Sequence, residues 1–271
     1  MSNFNIPKDG NDMMPFNFGP RATNPKVSGW YRDVTMIVVP YLTDANILRS
    51  IIPEQFSIPE EPVVSIAYAC NKDIDWLAGR AYNLISVSVE TTFKGTIDQE
   101  TAAYNLVFWE NLTDPILTGR ELQGIPKIYA DIEDHKLELG TVSSHVSHYN
   151  NPILDISITN LTKLDEDIVK TISDSEKNKK TFGYRYIPNV DVTKEPVVAE
   201  PILHTSHNFF KEMHLGQGHV DWHLSSWEQN PTQTHIINKL KELPILEYKD
   251  AVFIKGATNL FIPEQPSKVL K

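Results

Sequence analysis

The alternation of apolar and polar residues predicts a chain built mainly of β-strands. The sequences ISVSVE, from position 85, and LDISIT, from position 154, alternate strictly. A period of two places one face of a strand in the core and the other toward solvent. The runs RDVTMIVVP (32–40) and TAAYNLVFWE (101–110) are almost continuously apolar, which is typical of strands buried on both faces. Both kinds of segment favour β-structure.

The complete pattern predicts about ten strands and three or four short helices. The strands are placed at 32–40, 63–69, 81–93, 101–110, 140–147, 154–159, 184–189, 197–207, 219–224 and 251–261, and the main helices at 44–52, 165–173 and 234–243. Thr43 is the predicted cap of the first helix. Because few helices are long enough to cross over a sheet, the order of elements favours an antiparallel barrel or sandwich over a parallel doubly wound sheet.

The chain is predicted to have two unequal parts. Residues 1–27 are rich in Asn, Pro, Gly and Asp, which indicates an extended arm that could wrap a partner subunit. Residues 28–271 contain no repeat and no low-complexity linker, so they are assigned to a single domain.

Composition and charge narrow the classes of function. The chain has 271 residues, of which 41% are hydrophobic and 22% charged, as in ordinary globular proteins. A net charge of −10, with scattered lysines and arginines, argues against nucleic acid and anionic membranes as partners. The single cysteine, Cys70, excludes an intramolecular disulfide. The first residues lack the pattern of an export signal, so a cytoplasmic location is expected.

Neither the histidines nor the search for hydrolase and nucleotide-binding motifs gives a candidate functional site. Histidines three apart on a strand face opposite sides, and those four apart are separated by about 13 Å, so close pairs on strands cannot chelate one ion. No GxSxG, Walker A or GxGxxG pattern occurs in a supporting context. We therefore predict that the protein has no histidine metal site and needs no metal. The close pairs are His145 and His148, His204 and His207, and His219 and His223.

One lysine stands out in the sequence GRELQGIPKIYADI, from position 119 to 132. Pro126 cannot continue a helix and favours extended geometry at Ile125, so Lys127 is predicted at a helix-to-strand corner. An apolar setting disfavours the ammonium form of a lysine, and a neutral amine is a nucleophile. The alternative is that Lys127 extends its charged end to solvent from an edge strand.

The segment GRELQGIPKI resembles the signature of the acetoacetate decarboxylase family, in which Gly-Arg-Glu is followed by Pro-Lys and the lysine forms a Schiff base. The likeness continues in the strand that begins at Arg32 and leads to a helix ending in Pro-Glu, in YIPNVD (186–191) and in LKELPILEYKDAVFIKGATNLF (240–261). It implies a cone-shaped antiparallel β-barrel, assembled as a homo-oligomer, without a metal or an organic cofactor.

The resemblance also implies roles for individual residues. Lys127 matches the Schiff-base lysine, and Arg32 matches an arginine that would orient the substrate carboxylate. Glu121, the acid of the triplet, would either form a structural salt bridge or help to orient the substrate. Gln123, four residues before Lys127, would either place its amide near the imine or face solvent.

The sequence departs from the family's decarboxylases at three positions. Ile128 stands where a second lysine follows the reactive one, and Ala67 and approximately Leu77 stand where acidic residues face it. The resemblance implies a lyase for a small oxo acid, with decarboxylation of a 3-oxo acid as the first interpretation. Two alternatives stay open, an imine-dependent aldolase or dehydratase acting on a 2-oxo acid, and a non-catalytic module in which Lys127 binds a small carboxylate.

Overall fold

A computed structural model describes residues 5–6, 8, 12–20, 28–260 and 267–271. Within these ranges the strands are β1 (Trp30–Leu42), β2 (Phe56–Ser57), β3 (Val63–Ile74), β4 (Arg80–Lys94), β5 (Gln99–Glu110), β6 (Lys127–Tyr129), β7 (Asp131–Ile132), β8 (Lys136–Glu138), β9 (Thr141–His148), β10 (Asn151–Lys163), β11 (Lys179–Ile187), β12 (Val198–Trp222), β13 (Glu247–Tyr248), β14 (Ala251–Asn259) and β15 (Lys268–Val269). The α-helices are α1 (Ala45–Arg49), α2 (Thr113–Thr118), α3 (Glu166–Ser175) and α4 (Thr234–Lys241).

Seven strands close into a ring. Their hydrogen-bonded order is β11-β5-β4-β3-β1-β14-β12, and β12 pairs back with β11. Strands β10, β9 and β7 extend the sheet from the second half of β12. The prediction of a mainly β protein with an antiparallel barrel is confirmed, because most of these pairings are antiparallel.

Strand β12 makes the closure possible. The sequence predicted separate strands at 197–207 and 219–224, but residues 198–222 form one strand. Its first part pairs with β11 up to Ser206, and from His207 it pairs with β14. A single long strand that changes partners joins the two edges of the sheet, which local periodicity cannot reveal.

Among the described residues two strand pairings are parallel, and both involve β5. Strand β11 pairs with β5 at Thr181 and Phe182, and β6 pairs with β5 so that Lys127 lies opposite Phe108. Parallel neighbours need a connection longer than a hairpin. The connection between β5 and β6 contains α2 and the motif that resembles the family signature.

The first helix begins one residue later than predicted. Asp44, not Thr43, is its N-cap, and the Asp44 side chain accepts a hydrogen bond from the Ile47 amide at 2.9 Å. Aspartate is at least as good an N-cap as threonine. Thr43 is instead buried, and its amide donates to the Pro62 carbonyl at 3.1 Å.

The main hydrophobic core is filled by large apolar side chains. The bulkiest fully buried ones are Trp109, Tyr41, Tyr68, Phe56 and Phe182. Burial of each of these side chains contributes about 1.5–3 kcal/mol to the free energy of unfolding. The indole nitrogen of Trp109 donates to Gln233 Oε1 at 2.7 Å, which satisfies the polar atom of that ring. Because side chains alternate along a strand, fixing Trp109 in this core turns Glu110 to the opposite face.

The predicted arm over 1–27 lies largely outside the described residues. Within it, Phe16–Phe18 forms a short 3-10 turn. In the part of the chain that the structure describes, no helix is long and apolar enough to cross a membrane.

Candidate active site

Lys127 is the first residue of β6, directly after a tight turn. A single π-helical turn, Gly119–Gln123, follows α2, and Gly124 with φ +65° ends it. The predicted helix therefore ends two residues before Pro126, at a glycine that tolerates positive φ. The Phe108 amide donates to the Pro126 carbonyl at 2.9 Å, and Arg120 Nη1 donates to the Lys127 carbonyl at 2.8 Å. These bonds fix the backbone of the lysine.

The Lys127 side chain is buried against a buried carboxylate. Lys127 is 7% exposed and Glu110 is 0% exposed. The Lys127 Nζ lies 2.8 Å from Glu110 Oε1. Within the described ranges, no other donor reaches either oxygen of this carboxylate. Burial raises the pKa of the Glu110 carboxyl, and the Lys127 ammonium acts in the opposite direction.

Gly119 provides the space through which the lysine passes. A Cβ added to Gly119 would lie 2.5 Å from Lys127 Cδ and Cε and 3.0 Å from Nζ. No side chain larger than hydrogen fits there without moving the lysine. The glycine of the Gly-Arg-Glu triplet is therefore a packing requirement of the Lys127 side chain.

We expect Gly119→Ala to lower imine formation by Lys127 about tenfold or more, because the added methyl group displaces the amine from Glu110. The overpacking should also reduce the free energy of unfolding by about 1–3 kcal/mol. Imine trapping and chemical denaturation measure the two effects. In the double variant Gly119→Ala and Lys127→Ala, stability should recover. If it does not recover, the clash with Lys127 is not the cause.

A cavity of about 240 Å³ opens beside the ion pair. Its polar wall runs across neighbouring strands, with Lys127 on β6, Glu110 on β5, Tyr82 on β4, Asn71 on β3 and Tyr31 on β1. The apolar wall includes Val34, Met36, Ala67, Ala69, Leu84 and Leu260. A concave, largely apolar space with a few polar groups is typical of a small-molecule site.

His204 lines the same cavity from β12. Its Nδ1 lies 2.8 Å from Ser267 Oγ, a residue of the C-terminal segment. Burial, followed by the positive charge of Lys127, lowers the pKa of His204 to about 4. The imidazole is therefore neutral near pH 7 and adds no charge to the cavity.

The structure brings two of the four sequence-predicted residues to the cavity. Lys127 and Gln123 line it, whereas Arg32 and Glu121 do not. Glu121 is not among the residues that line the cavity, and its carbonyl accepts a hydrogen bond from Arg185 Nε at 2.9 Å.

Arg32 lies on the outer side of β1. Its side chain is 51% exposed, and its Nε and Nη2 donate to Asp75 at 2.8 and 2.7 Å. The pairing of β1 with β14 shifts register between Tyr31 and Val34, so Arg32 and Asp33 are both exposed instead of alternating. A contact between Arg32 and substrate stays a prediction, and the structure does not place the guanidinium at the cavity wall.

Sequence reasoning missed Glu110. The available signal was a single acidic residue at the end of the apolar run TAAYNLVFWE. Ala67, at one of the positions where the family's decarboxylases carry an acid, does line the cavity, while Leu77 does not. The cavity acid is therefore supplied from β5.

The barrel and the buried lysine agree with one protein family. The family model described as acetoacetate decarboxylase (ADC) matches residues 13–270. The chain belongs to this family, whose members include decarboxylases.

Individual relatives show how far the likeness extends. Decarboxylase DEC1 of Cochliobolus heterostrophus is 26% identical over 231 residues, which cover 84% of this chain and 83% of that protein. The crystal structure of acetoacetate decarboxylase from Legionella pneumophila is 20% identical, with a TM-score of 0.70 over 93% of this chain and 92% of that chain. The enduracididine biosynthesis enzyme MppR, complexed with pyruvate, is 14% identical, with a TM-score of 0.67 over 95% of each chain. At these identities the two structures establish the fold.

Proposed function

We propose that this protein is a Schiff-base-forming lyase that acts on a small oxo acid, with decarboxylation of a 3-oxo acid as its reaction. The observation that carries the proposal is the buried contact between Lys127 Nζ and Glu110 Oε1 at 2.8 Å, beside a cavity of about 240 Å³. Membership of the family and the likeness to Decarboxylase DEC1 support it.

Glu110 provides a route to the neutral amine. Two opposite charges removed from water are costly to maintain, even when paired. Transfer of one proton from Lys127 to Glu110 converts the pair into a neutral amine and a neutral carboxylic acid without losing a proton to solvent. In the family's decarboxylases a second lysine directly follows the reactive lysine and helps to activate it. Here Ile128 follows Lys127, so we assign the activation of the amine to Glu110.

Imine formation then needs one acid, which Glu110 supplies. The Lys127 nitrogen adds to the ketone carbon and gives a carbinolamine. The Glu110 carboxylic acid protonates the departing hydroxyl, water leaves, and a cationic iminium remains beside the Glu110 carboxylate. The charges of the original pair are thereby restored, with the iminium in place of the ammonium.

The iminium accepts the electrons of the bond that breaks. In a 3-oxo acid the bond between C2 and the carboxyl carbon is cleaved, carbon dioxide leaves, and the electron pair forms an enamine. A proton derived from water is added at the carbon, which regenerates an iminium. Hydrolysis of that iminium, with Glu110 as base, releases the ketone and returns Lys127.

A second candidate function is an imine-dependent aldolase or dehydratase acting on a 2-oxo acid. The absence of the family's acids at Ala67 and Leu77 favours it, as does the likeness in fold to MppR, whose structure was determined with pyruvate. The non-catalytic alternative keeps the cavity but uses Lys127 only as a cation for a carboxylate. The homo-oligomer, the cytoplasmic location and the Arg32 contact stay predictions.

Borohydride trapping separates these functions. With 3-oxobutanoate or pyruvate present, reduction should leave a mass adduct on Lys127, and carbon dioxide should be released only from the 3-oxo acid. An adduct with pyruvate alone favours the aldolase or dehydratase. No adduct across a panel of oxo acids, with saturable ligand binding intact, would leave only the binding module.

A further inference from the structure

Two tyrosines and a tryptophan share hydrogen bonds at the cavity wall. Tyr82 Oη donates to Tyr31 Oη at 3.3 Å, and Trp76 Nε1 donates to the same oxygen at 3.0 Å. The three side chains carry three polar hydrogens, and these two bonds use two of them. Whichever tyrosine donates to the other, one hydroxyl hydrogen has no acceptor among the residues of the described ranges.

Both hydroxyl groups remain protonated donors. Tyr31 and Tyr82 are 4% and 5% exposed, and both line the cavity. Burial raises the pKa of Tyr31 to about 12, and it raises the pKa of Tyr82 well above the usual value; the negative charge of Glu110 adds to both effects. The unused hydrogen is therefore available to a bound acceptor throughout the neutral range.

Asn71 adds a second unused donor next to this pair. It lies directly opposite Tyr82 in the pairing of β3 with β4, so the two side chains are neighbours on one face. Asn71 is 5% exposed and lines the cavity. Within the described part of the chain, its Nδ2 has no hydrogen-bond partner. A buried donor without an acceptor is costly, which favours a ligand oxygen here.

We infer that Tyr31, Tyr82 and Asn71 form a neutral donor group that binds the carboxylate of the oxo acid whose ketone reacts with Lys127. This inference rests on the proposed function. Adjacent strands are about 4.8 Å apart, so β4 lies roughly 10 Å from β6 across the Glu110 strand. Lys127 and the two tyrosines line the same cavity of about 240 Å³, which has room for a four-carbon oxo acid.

Neutral donors suit the loss of carbon dioxide. A cation would stabilise the substrate carboxylate, whose charge disappears from that group in the transition state, and so would raise the barrier. Hydrogen bonds from hydroxyl and amide groups hold the carboxylate while leaving its charge free to move toward the iminium. Arg32 lies away from the cavity wall, which agrees with a carboxylate site made of neutral donors.

The test compares ligands with and without a carboxylate. For Tyr82→Phe and for Asn71→Leu, the half-saturating concentration of 3-oxobutanoate in borohydride trapping should rise about tenfold or more, because a hydrogen bond to a charged group is lost. The value for acetone, which lacks the carboxylate, should change less than twofold. Tyr104→Phe removes a buried hydroxyl outside the cavity lining and should change neither value.

Two outcomes would overturn the inference. Equal shifts for both ligands would mean that the substitutions disturb the lysine itself, and an unchanged value for 3-oxobutanoate would mean that the donors do not touch the carboxylate.

A separate measurement distinguishes this failure from failure of the proposed function. Lys127→Met cannot form an imine, so ligand-observed NMR with 3-oxobutanoate reports the carboxylate contact alone. Binding that is weakened by an added Tyr82→Phe supports the donor group even if the wild-type protein gives no adduct. Absence of binding to Lys127→Met, or binding unaffected by Tyr82→Phe, refutes it.

Discussion

Lys127→Met is expected to abolish borohydride trapping and to lower turnover of the oxo acid by about four orders of magnitude or more, as removal of a covalent nucleophile does elsewhere. Methionine fills a similar volume, so the passage beside Gly119 remains occupied. Mass spectrometry of the reduced protein and the rate of carbon dioxide release measure the two effects.

Stability provides the control for this substitution. Removing one partner of a buried ion pair costs about 3–5 kcal/mol when the other stays charged. Glu110 can take up a proton instead, so we expect a smaller loss and a native circular dichroism spectrum. The double variant Lys127→Met and Glu110→Gln should be at least as stable as Lys127→Met. A folded Lys127→Met protein with undiminished turnover would exclude imine chemistry.

Glu110→Gln is expected to slow imine formation by a factor of about 10²–10⁴, the usual range for a general acid or base. Glutamine keeps the shape of the side chain but cannot accept the lysine proton or protonate the carbinolamine. The proton must then pass to hydroxide or buffer, so the trapping rate of the variant should increase with pH between 7 and 9. Adding borohydride at fixed times after mixing with the oxo acid, and quantifying the adduct by mass spectrometry, measures this rate.

Glu100→Gln is the matched control, because Glu100 lies on the same strand and pairs with Lys180 at 2.7 Å, outside the cavity lining. It should leave trapping unchanged. If Glu110→Gln behaves like Glu100→Gln, the buried carboxylate has only a structural role, and proton transfer from Lys127 follows another route.

The sequence by itself determined much of the secondary structure and predicted one candidate lysine. Alternation in ISVSVE and LDISIT predicted strands that are present, because period-two burial is a local property. Through its resemblance to the family, the Pro-Lys motif predicted Lys127 as the Schiff-base lysine, and the same resemblance implied the barrel fold. Gln123, four residues away in the same motif, lines the cavity, and its contact with substrate stays a prediction.

Only the tertiary structure decided which groups surround the lysine. Glu110 is 17 positions away in sequence, and parallel pairing of β5 with β6 brings it beside Lys127. Tyr31, Asn71 and Tyr82 come from three further strands. Conversely, a register shift in β1 leaves Arg32 at the surface, although a regular strand was predicted there. Contacts between strands depend on pairing and register across the whole barrel, and local patterns of apolar residues do not contain that information.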